Sequence, residues 1–216
     1  MKNTLTELVF LLDRSGSMAG AETDTVGSFN SVIEKQKKEN CRCLVTTVLF
    51  DNYMETIHDR VPLDKIAPLT EKEYYVRGST ALLDAAGTTI DRIRDLQEHA
   101  GSENKPQQTI VVIITDGIEN ASRRYSYREV SAAISRMKES YDWQFLFLGA
   151  DIDAAKEAQR YGIDPEYAVD FKKDREGFTA VHTFICSAVE EMQTEGRISE
   201  RWKTAVQKDM QRRDKK

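Results

Sequence analysis

The chain has 216 residues, of which 40% are hydrophobic and 31% charged, and its formal net charge at pH 7 is -5. This composition excludes a disordered chain, which has too little apolar surface to form a core, and a membrane protein, which has far more. The acidic balance argues against attraction of the whole surface to nucleic acid or to an anionic membrane, so we expect neither as a partner.

The length predicts one domain with a short extension, since domains usually have roughly 100–200 residues. We place the domain at residues 1–193 and interpret the polar, basic residues 194–216 as a terminal helix or a frayed tail, with helical spacing at Trp202, Val206 and Met210. The apolar run at residues 8–12 is too short for a signal peptide or a membrane span. A cytoplasmic location is therefore expected.

The chain has three cysteines, an odd number that is sparse for a disulfide framework. We expect reduced thiols. Cys41 and Cys43 flank a single residue but lack the second ligand pair of a typical structural metal site.

Four short apolar runs have the composition of strands that are buried on both faces, at residues 8–12, 44–50, 110–114 and 145–148. Residues 53–58 alternate in polarity after the turn-prone pair Asp51-Asn52, which predicts an antiparallel edge strand paired with the second run. A sixth short strand is predicted near residues 167–171.

Segments with helical spacing separate these strands. They cover residues 25–38, a segment from near Thr80 to just before Gly101, and residues 127–140, 154–161 and 177–192. Alternation of strands and helices predicts a doubly wound, mostly parallel α/β sheet with helices on both faces.

Small oxygen-bearing side chains follow two of the predicted strands. Asp13, Ser15 and Ser17 come after the first strand, Asp116 comes after the third, and Thr80 lies at the start of the helix between them. Ligands of open α/β sheets bind beyond the carboxyl ends of the strands, so we expect these residues near one another. If the loop after the first strand stays extended, alternation puts its three side chains on one side.

Such a donor set, free of thiolate and imidazole, suits Mg²⁺ or Mn²⁺. It contains at most two carboxylates, so an ion held there is incompletely neutralised. A carboxylate from another molecule would then be a favourable further ligand.

The motif pieces Asp-Arg-Ser-Gly-Ser at 13–17, Gly-Ser-Thr at 78–80 and Thr-Asp-Gly at 115–117 resemble the metal-ion-dependent adhesion site of von Willebrand factor type A domains. Their order and strand context also match, and the resemblance covers roughly residues 5–193. Among the members of that family, the chain looks most like the small stand-alone bacterial and phage-type proteins, including those grouped with tellurite-resistance proteins.

This resemblance implies a Rossmann-like domain with one short antiparallel edge strand and a divalent ion at the top of the sheet. It implies that Ser15 and Ser17 ligate the ion directly, that Thr80 does so directly or through water, and that Asp13 and Asp116 often act through water. The open coordination position then receives an Asp or Glu of a partner protein.

Two classes of function remain open. The first is a metal-dependent protein-binding module, and the alternative is a metal-dependent hydrolase or phosphotransferase with Asp13 as nucleophile. The alternative expects a second acidic residue two positions later, where this chain has Ser15. No general base is placed and no Gly-x-x-x-x-Gly-Lys loop occurs, so a non-enzymatic module is favoured.

Several residues around the site have two interpretations. Glu119, Asn120 and Ser122 either extend the rim of the site or cap the next helix and hydrogen-bond the loop. Four arginines either steer an anionic partner or carry ordinary solvated charge; these are Arg14, Arg77, Arg123 and Arg124. Asp51 is predicted to be a structural turn residue, and Asp153 a helix N-cap.

Overall fold

The computed structural model describes residues 4–199 and Arg212, and the strands of this part of the chain form a six-stranded sheet. The strands are β1 (Thr6–Asp13), β2 (Cys43–Phe50), β3 (Met54–Pro62), β4 (Gln108–Thr115), β5 (Gln144–Ala150) and β6 (Ala168–Phe171). Their order in the sheet is β3-β2-β1-β4-β5-β6. The β2–β3 pair is antiparallel and the other pairs are parallel, which confirms the predicted fold class.

Helices cover both faces of the sheet. They are α1 (Glu22–Lys38), α2 (Leu82–Glu98), α3 (Tyr127–Tyr141), α4 (Ala154–Arg160) and α5 (Arg175–Glu195). In β1, Leu8, Phe10 and Leu12 pack in the core under α1 and α5, whereas Val9 and Leu11 pack under the other three helices. The apolar run of β1 is therefore continuous because both of its faces are buried.

Most predicted boundaries differ from the observed ones by a few residues, and two of the differences have identifiable reasons. Helix α1 begins at Glu22, three residues earlier than its apolar stripe indicates, with an acidic first turn that suits a helix N-terminus. Strand β3 runs on to Pro62 instead of ending at 58, because pairing with β2 resumes after register shifts near Thr47.

The direction of the chain across the sheet reverses between β1 and β4. From β1 it proceeds to β2 and β3 on one side, and from β4 to β5 and β6 on the other. A crevice forms at the carboxyl ends of strands at such a point, and ligands of α/β proteins bind there.

Helix α5 continues past residue 193 to Glu195 and ends at Gly196, which has a φ of 74°. Ile198 is also buried in the core, so the described packing extends beyond the boundary drawn from the sequence. The helix predicted from Trp202, Val206 and Met210 lies outside the described residues. None of the described helices combines the length and the apolar composition that crossing a bilayer requires.

Candidate functional site

The serines after β1 and the aspartate after β4 meet in the crevice at the switch point. The Ser15 and Ser17 hydroxyl oxygens are 3.1 Å apart, and Ser17 Oγ donates a hydrogen bond of 2.6 Å to Asp116 Oδ1. These spacings are close to those between neighbouring oxygen ligands around a small divalent ion. The expected proximity of residues from separate strands is therefore observed.

Gly117 leaves open the space that the remaining oxygens line. A Cβ atom at this position would lie 2.7 Å from Thr80 Oγ1 and 3.6 Å from both Asp13 Oδ2 and Ser17 Oγ. Three side-chain oxygens thus face one point beside the main chain of residue 117. A side chain here would fill that point, which gives glycine a steric reason at this position.

The loop after β1 reaches this arrangement by a different route from the one expected. It does not stay extended, because Gly16–Met18 forms a 3-10 turn. The main-chain N–H of Gly16 donates to the Gly78 carbonyl at 3.0 Å, which joins the turn to the loop that carries Thr80. The side chains therefore converge because of this turn and not because of strand alternation.

Asp13 is fully buried at the end of β1. Its Oδ1 atom accepts a hydrogen bond from the Ser15 amide at 2.7 Å, and its Oδ2 atom accepts one from Thr115 Oγ1 at 2.5 Å. The pKa of Asp13 is raised to about 6. Burial is the main cause of the rise, these hydrogen bonds oppose it, and the negative charge of Asp116 adds to it. The groups that donate to this carboxylate are neutral, so its charge is solvated by dipoles alone.

Lys173 belongs to the site and was not identified from the sequence. It follows β6 and reaches across the sheet, so that its Nζ atom lies 2.9 Å from Asp116 Oδ2 and 2.7 Å from the Ser17 carbonyl oxygen. Its ammonium supplies positive charge beside the converging oxygens. The sequence does contain a signal for it, because Lys173 comes two residues after the end of β6, as Ser15 does after the end of β1.

Arg14 corrects one of the expectations for the site face. It is fully buried, with its Nε atom 2.9 Å from Asp51 Oδ2 and an Nη atom 2.8 Å from Glu55. Arg77 contacts the same Asp51 oxygen at 2.8 Å, which confirms a structural role for Asp51. Arg14 therefore cannot steer a partner, because its charge is neutralised within the protein.

The residues after Asp116 cap a helix, but it is α2 rather than the next helix along the chain. Glu119 accepts from the Leu83 amide and Ser122 from the Asp84 amide, both in the first turn of α2. Asn120 accepts from the Thr80 amide at 2.9 Å. The capping interpretation is thus confirmed, and the hydrogen bond from the Thr80 amide to Asn120 also holds Thr80 in place. Asp153 caps α4 as predicted, since its side chain accepts from the Lys156 amide.

Large apolar side chains are exposed in loops at the same end of the sheet as this crevice. Within the described chain, the exposed large hydrophobic residues are Tyr53, Tyr75 and Ile118, with relative exposures of 75%, 44% and 56%. All three lie in loops at the carboxyl end of the sheet, and we call them the apolar rim. Exposed apolar residues gathered at one end of a protein are typical of an interaction surface.

Among the described residues, no group of three His, Cys, Asp or Glu side chains is arranged to hold a metal ion. A cation in the crevice would therefore depend on hydroxyl oxygens as well as carboxylates. That is the donor set predicted from the sequence, in which Ser15, Ser17 and Thr80 supply three of the five side chains.

No protein-family model matches the chain, and no curated protein matches it in sequence. Solved structures do match. Proximal thread matrix protein 1 from the mussel byssus superposes with a TM-score of 0.57 at 13% identity, over 83% of this chain and 44% of that chain. The PilB minor pilin from Streptococcus sanguinis, as its D319A mutant, gives 0.59 at 12% identity, over 87% of this chain and 62% of the pilin.

A third similar structure is manganese-loaded TRAP protein from Plasmodium vivax, with a TM-score of 0.58 at 17% identity over 79% of this chain and 70% of that chain. At these identities the likeness establishes the fold alone, which is like that of von Willebrand factor type A domains. The chain spans less than half of the mussel protein and under two thirds of the pilin. None of these three proteins is named as an enzyme.

Proposed function

We propose that this protein is an interaction module in which the crevice binds Mg²⁺ or Mn²⁺, and that the bound ion receives an Asp or Glu side chain of a partner protein. The observation that carries the proposal is the convergence of Asp13, Ser17 and Thr80 oxygens on one point beside Gly117. Ser15 and Asp116 are in hydrogen-bond contact with Ser17 in the same crevice.

The chemistry of these residues fits a hard divalent cation. Mg²⁺ and Mn²⁺ prefer oxygen ligands, and the crevice presents hydroxyls and carboxylates. The buried Asp13 carboxylate has neutral hydrogen-bond donors and a second carboxylate, Asp116, nearby, and a cation would relieve the cost of burying its charge. The similar TRAP protein is manganese-loaded, which is consistent with this choice of ion, although that metal belongs to TRAP.

The charge of the site gives the ion its proposed use. Two carboxylates at most, with Asp116 already paired to Lys173, leave the ion attractive to a third carboxylate. The bound ion would supply a directional contact for that group. The apolar rim provides surface beside it, so a partner would gain both coordination and burial of apolar area.

The hydrolase alternative gains no specific support. The groups that hydrogen-bond to the carboxylates of Asp13 and Asp116 in the described structure are a main-chain amide, hydroxyls and the Lys173 ammonium. These groups position charge but do not form a nucleophile-and-base pair. We therefore propose binding rather than catalysis, and retain the proposal of a cytoplasmic location.

Calorimetric titration of chelator-treated protein with MgCl₂ or MnCl₂ tests the metal site. We expect one site per chain, lost on joint Ser15→Ala and Ser17→Ala substitution. Ser187→Ala is the matched control, because this half-buried hydroxyl on α5 lies outside the crevice and donates to the helix carbonyl of Thr183. Wild-type protein without heat of binding, or a double variant that still binds, would refute the proposed site.

Displayed random peptides test the partner contact. Peptides selected in Mg²⁺ should carry an Asp or Glu whose replacement by Asn or Gln abolishes binding, and they should be released by chelator. Thr80→Ala should remove most of the affinity. Selected peptides that bind equally well in chelator would show that the ion is not the recognition element.

A further inference from the structure

A pair of thiols lies at the opposite, amino-terminal end of the sheet. Cys41 precedes β2 and is half-buried, whereas Cys43 is the first residue of β2 and is buried. Cys41 Sγ donates to Oε1 of Gln193 on α5 at 3.2 Å, and Nε2 of the same side chain donates to Cys43 Sγ at 3.7 Å. The two sulfurs therefore share one polar neighbour, and they are also hydrogen-bonded to each other.

The thiols open onto a groove of about 670 Å³, large enough for a small molecule. Lys37 and Arg42 line this groove together with one acidic residue, Asp64. Lys37 is already paired with Glu34 at 3.2 Å, so the exposed Arg42 is the cation that the groove offers to a ligand with negative charge. The site lies far along the strands from the Asp13 crevice and shares no residue with it.

The surroundings make the two thiols chemically unequal. A hydrogen bond from Cys43 lowers the pKa of Cys41 to about 7, against burial and the negative charges of Glu39 and Glu190, which raise it. The same contact and burial raise the pKa of Cys43. Burial raises the pKa of Cys186 to about 11, which makes it an inert reference thiol in the same chain.

We propose that Cys41 and Cys43 form a thiol–disulfide exchange site that accepts a small anionic disulfide of the glutathione type in the basic groove. Cys41 is the attacking residue, because it is the one that reaches the groove in half-exposed form. Cys43, two residues away and in contact with it, is the resolving residue.

The reaction is balanced by the small disulfide itself. The Cys41 thiolate attacks one sulfur of glutathione disulfide, the S–S bond breaks, and one glutathione leaves with the electron pair and takes a proton from solvent. Cys43 then gives its proton to water and attacks Cys41 Sγ, which forms the Cys41–Cys43 disulfide and releases the second glutathione. Two protein thiols are oxidised by two electrons and one disulfide is reduced to two thiols.

The first step prepares the second. The negative charge on Cys41 helps to keep the proton on Cys43, and conversion of Cys41 to a mixed disulfide removes that charge. Attack by Cys43 therefore becomes easier only after the ligand is bound. This order predicts that a variant without Cys43 accumulates the mixed disulfide.

The test uses the reduced, full-length chain and glutathione disulfide, followed by intact-mass and peptide mass spectrometry. Wild-type protein should lose two hydrogens through a Cys41–Cys43 disulfide. Cys43→Ala should stop with one glutathione on Cys41, and Cys41→Ala should remain unmodified. Cys186→Ala should behave like wild type, and circular dichroism confirms that each variant is folded.

Rate measurements separate the groove from ordinary thiol chemistry. Alkylation of wild-type Cys41 by iodoacetamide should reach half its maximal rate near pH 7 and be at least tenfold faster there than that of Cys186. Arg42→Gln should slow the reaction with glutathione disulfide several-fold but leave that with neutral bis(2-hydroxyethyl) disulfide unchanged. Equal modification of Cys41 and Cys186, or no reaction of folded wild-type protein, would overturn the proposal.

Discussion

Strand β1 carries a buried carboxylate at each end, and the two differ in what surrounds them. Glu7, near the amino end, contacts Arg60 Nε at 2.8 Å and Gln97 Nε2 at 2.8 Å. Asp13, at the carboxyl end, accepts from the Ser15 amide and from neutral hydroxyls among the described residues. One charge has a cation of the protein beside it, and the other does not.

The pKa values follow from this difference. Burial raises the pKa of Glu7, but Gln97 and Arg60 oppose the shift. At Asp13, burial dominates and brings the pKa to about 6. A buried charge with a built-in partner is part of the architecture, whereas a buried charge held by dipoles alone is what the proposed divalent-ion site requires. Three single variants test this distinction, and a fourth, double variant tests the surface beside the carboxyl end.

The largest effect is expected at the amino end. Glu7→Ala should lower the free energy of unfolding by about 3 kcal/mol, because it leaves Arg60 and Gln97 without their buried partner. Denaturant unfolding in Mg²⁺ and in chelator measures it, and the loss should be the same in both. Glu139→Ala, at an exposed site on α3, is the control. If the loss of stability in Glu7→Ala depended on the divalent ion, Glu7 and Asp13 would not differ in the way proposed.

Asp13→Asn should have the opposite effect on the free energy of unfolding. In chelator-treated protein at pH 7 we expect it to raise this free energy by about 2 kcal/mol. The carboxyl pKa rises from 3.8 in the unfolded chain to about 6 in the folded protein, and the lost acceptor offsets part of the gain. Because the pKa of Asp13 is higher in the folded protein, ionisation of its carboxyl destabilises the fold. This destabilisation is absent below pH 4 and grows as the pH rises through 6.

The stability difference between Asp13→Asn and wild type should therefore open between pH 4 and pH 7. The variant should also lose any stabilisation by Mg²⁺ or Mn²⁺. Destabilisation of the chelated protein at pH 7 would mean that Asp13 is a structural residue like Glu7.

Lys173→Met should sharpen the comparison by removing the ammonium that pairs with Asp116 beside the converging oxygens. We expect divalent-ion affinity to rise about tenfold, since the ammonium 2.9 Å from Asp116 competes for the same carboxylate. Titration calorimetry measures this change. Lys172→Met is the matched control, because Lys172 pairs with Asp151 instead. Unchanged affinity would place Lys173 outside the ion site.

The smallest effect is expected from Arg123→Ala with Arg124→Ala, both exposed on the loop before α3. Their main-chain amides bond to Asp84, so the side chains are dispensable for the loop. Association with an acidic peptide should slow a few-fold and depend less on salt, with dissociation unchanged. Surface-immobilised kinetics measures both rates. An equal change in dissociation would indicate direct contact instead of steering.

The sheet was predictable because its central strands are buried on both faces, which produces uninterrupted apolar runs such as Leu8–Leu12. The start of α1 was not, because its first turn is polar and lies outside the apolar stripe. The length of β3 depends on resumed pairing with β2 after register shifts, which local polarity does not encode.

The candidate site was predictable as a set of residues but not as a geometry. Short motifs after strands pointed to Asp13, Ser15 and Asp116, whereas the 3-10 turn at Gly16–Met18 depends on contact with Gly78. Arg14 and Lys173 were misjudged or missed because their partners lie 37 and 57 residues away along the chain. The metal role and the tellurite-resistance grouping stay predictions.

The capping of α2 by residues 119–122 has a consequence for how this protein can change over evolutionary time. The loop is held by Glu119, Asn120 and Ser122, whereas the neighbouring Ile118 points its exposed side chain outward. Tyr53 is likewise held through its main-chain amide, which donates to the Asp51 carboxylate at 2.9 Å. Positions 53 and 118 can therefore accept new side chains at little cost in folding, so under the proposed function the choice of partner could change while the residues of the crevice are kept.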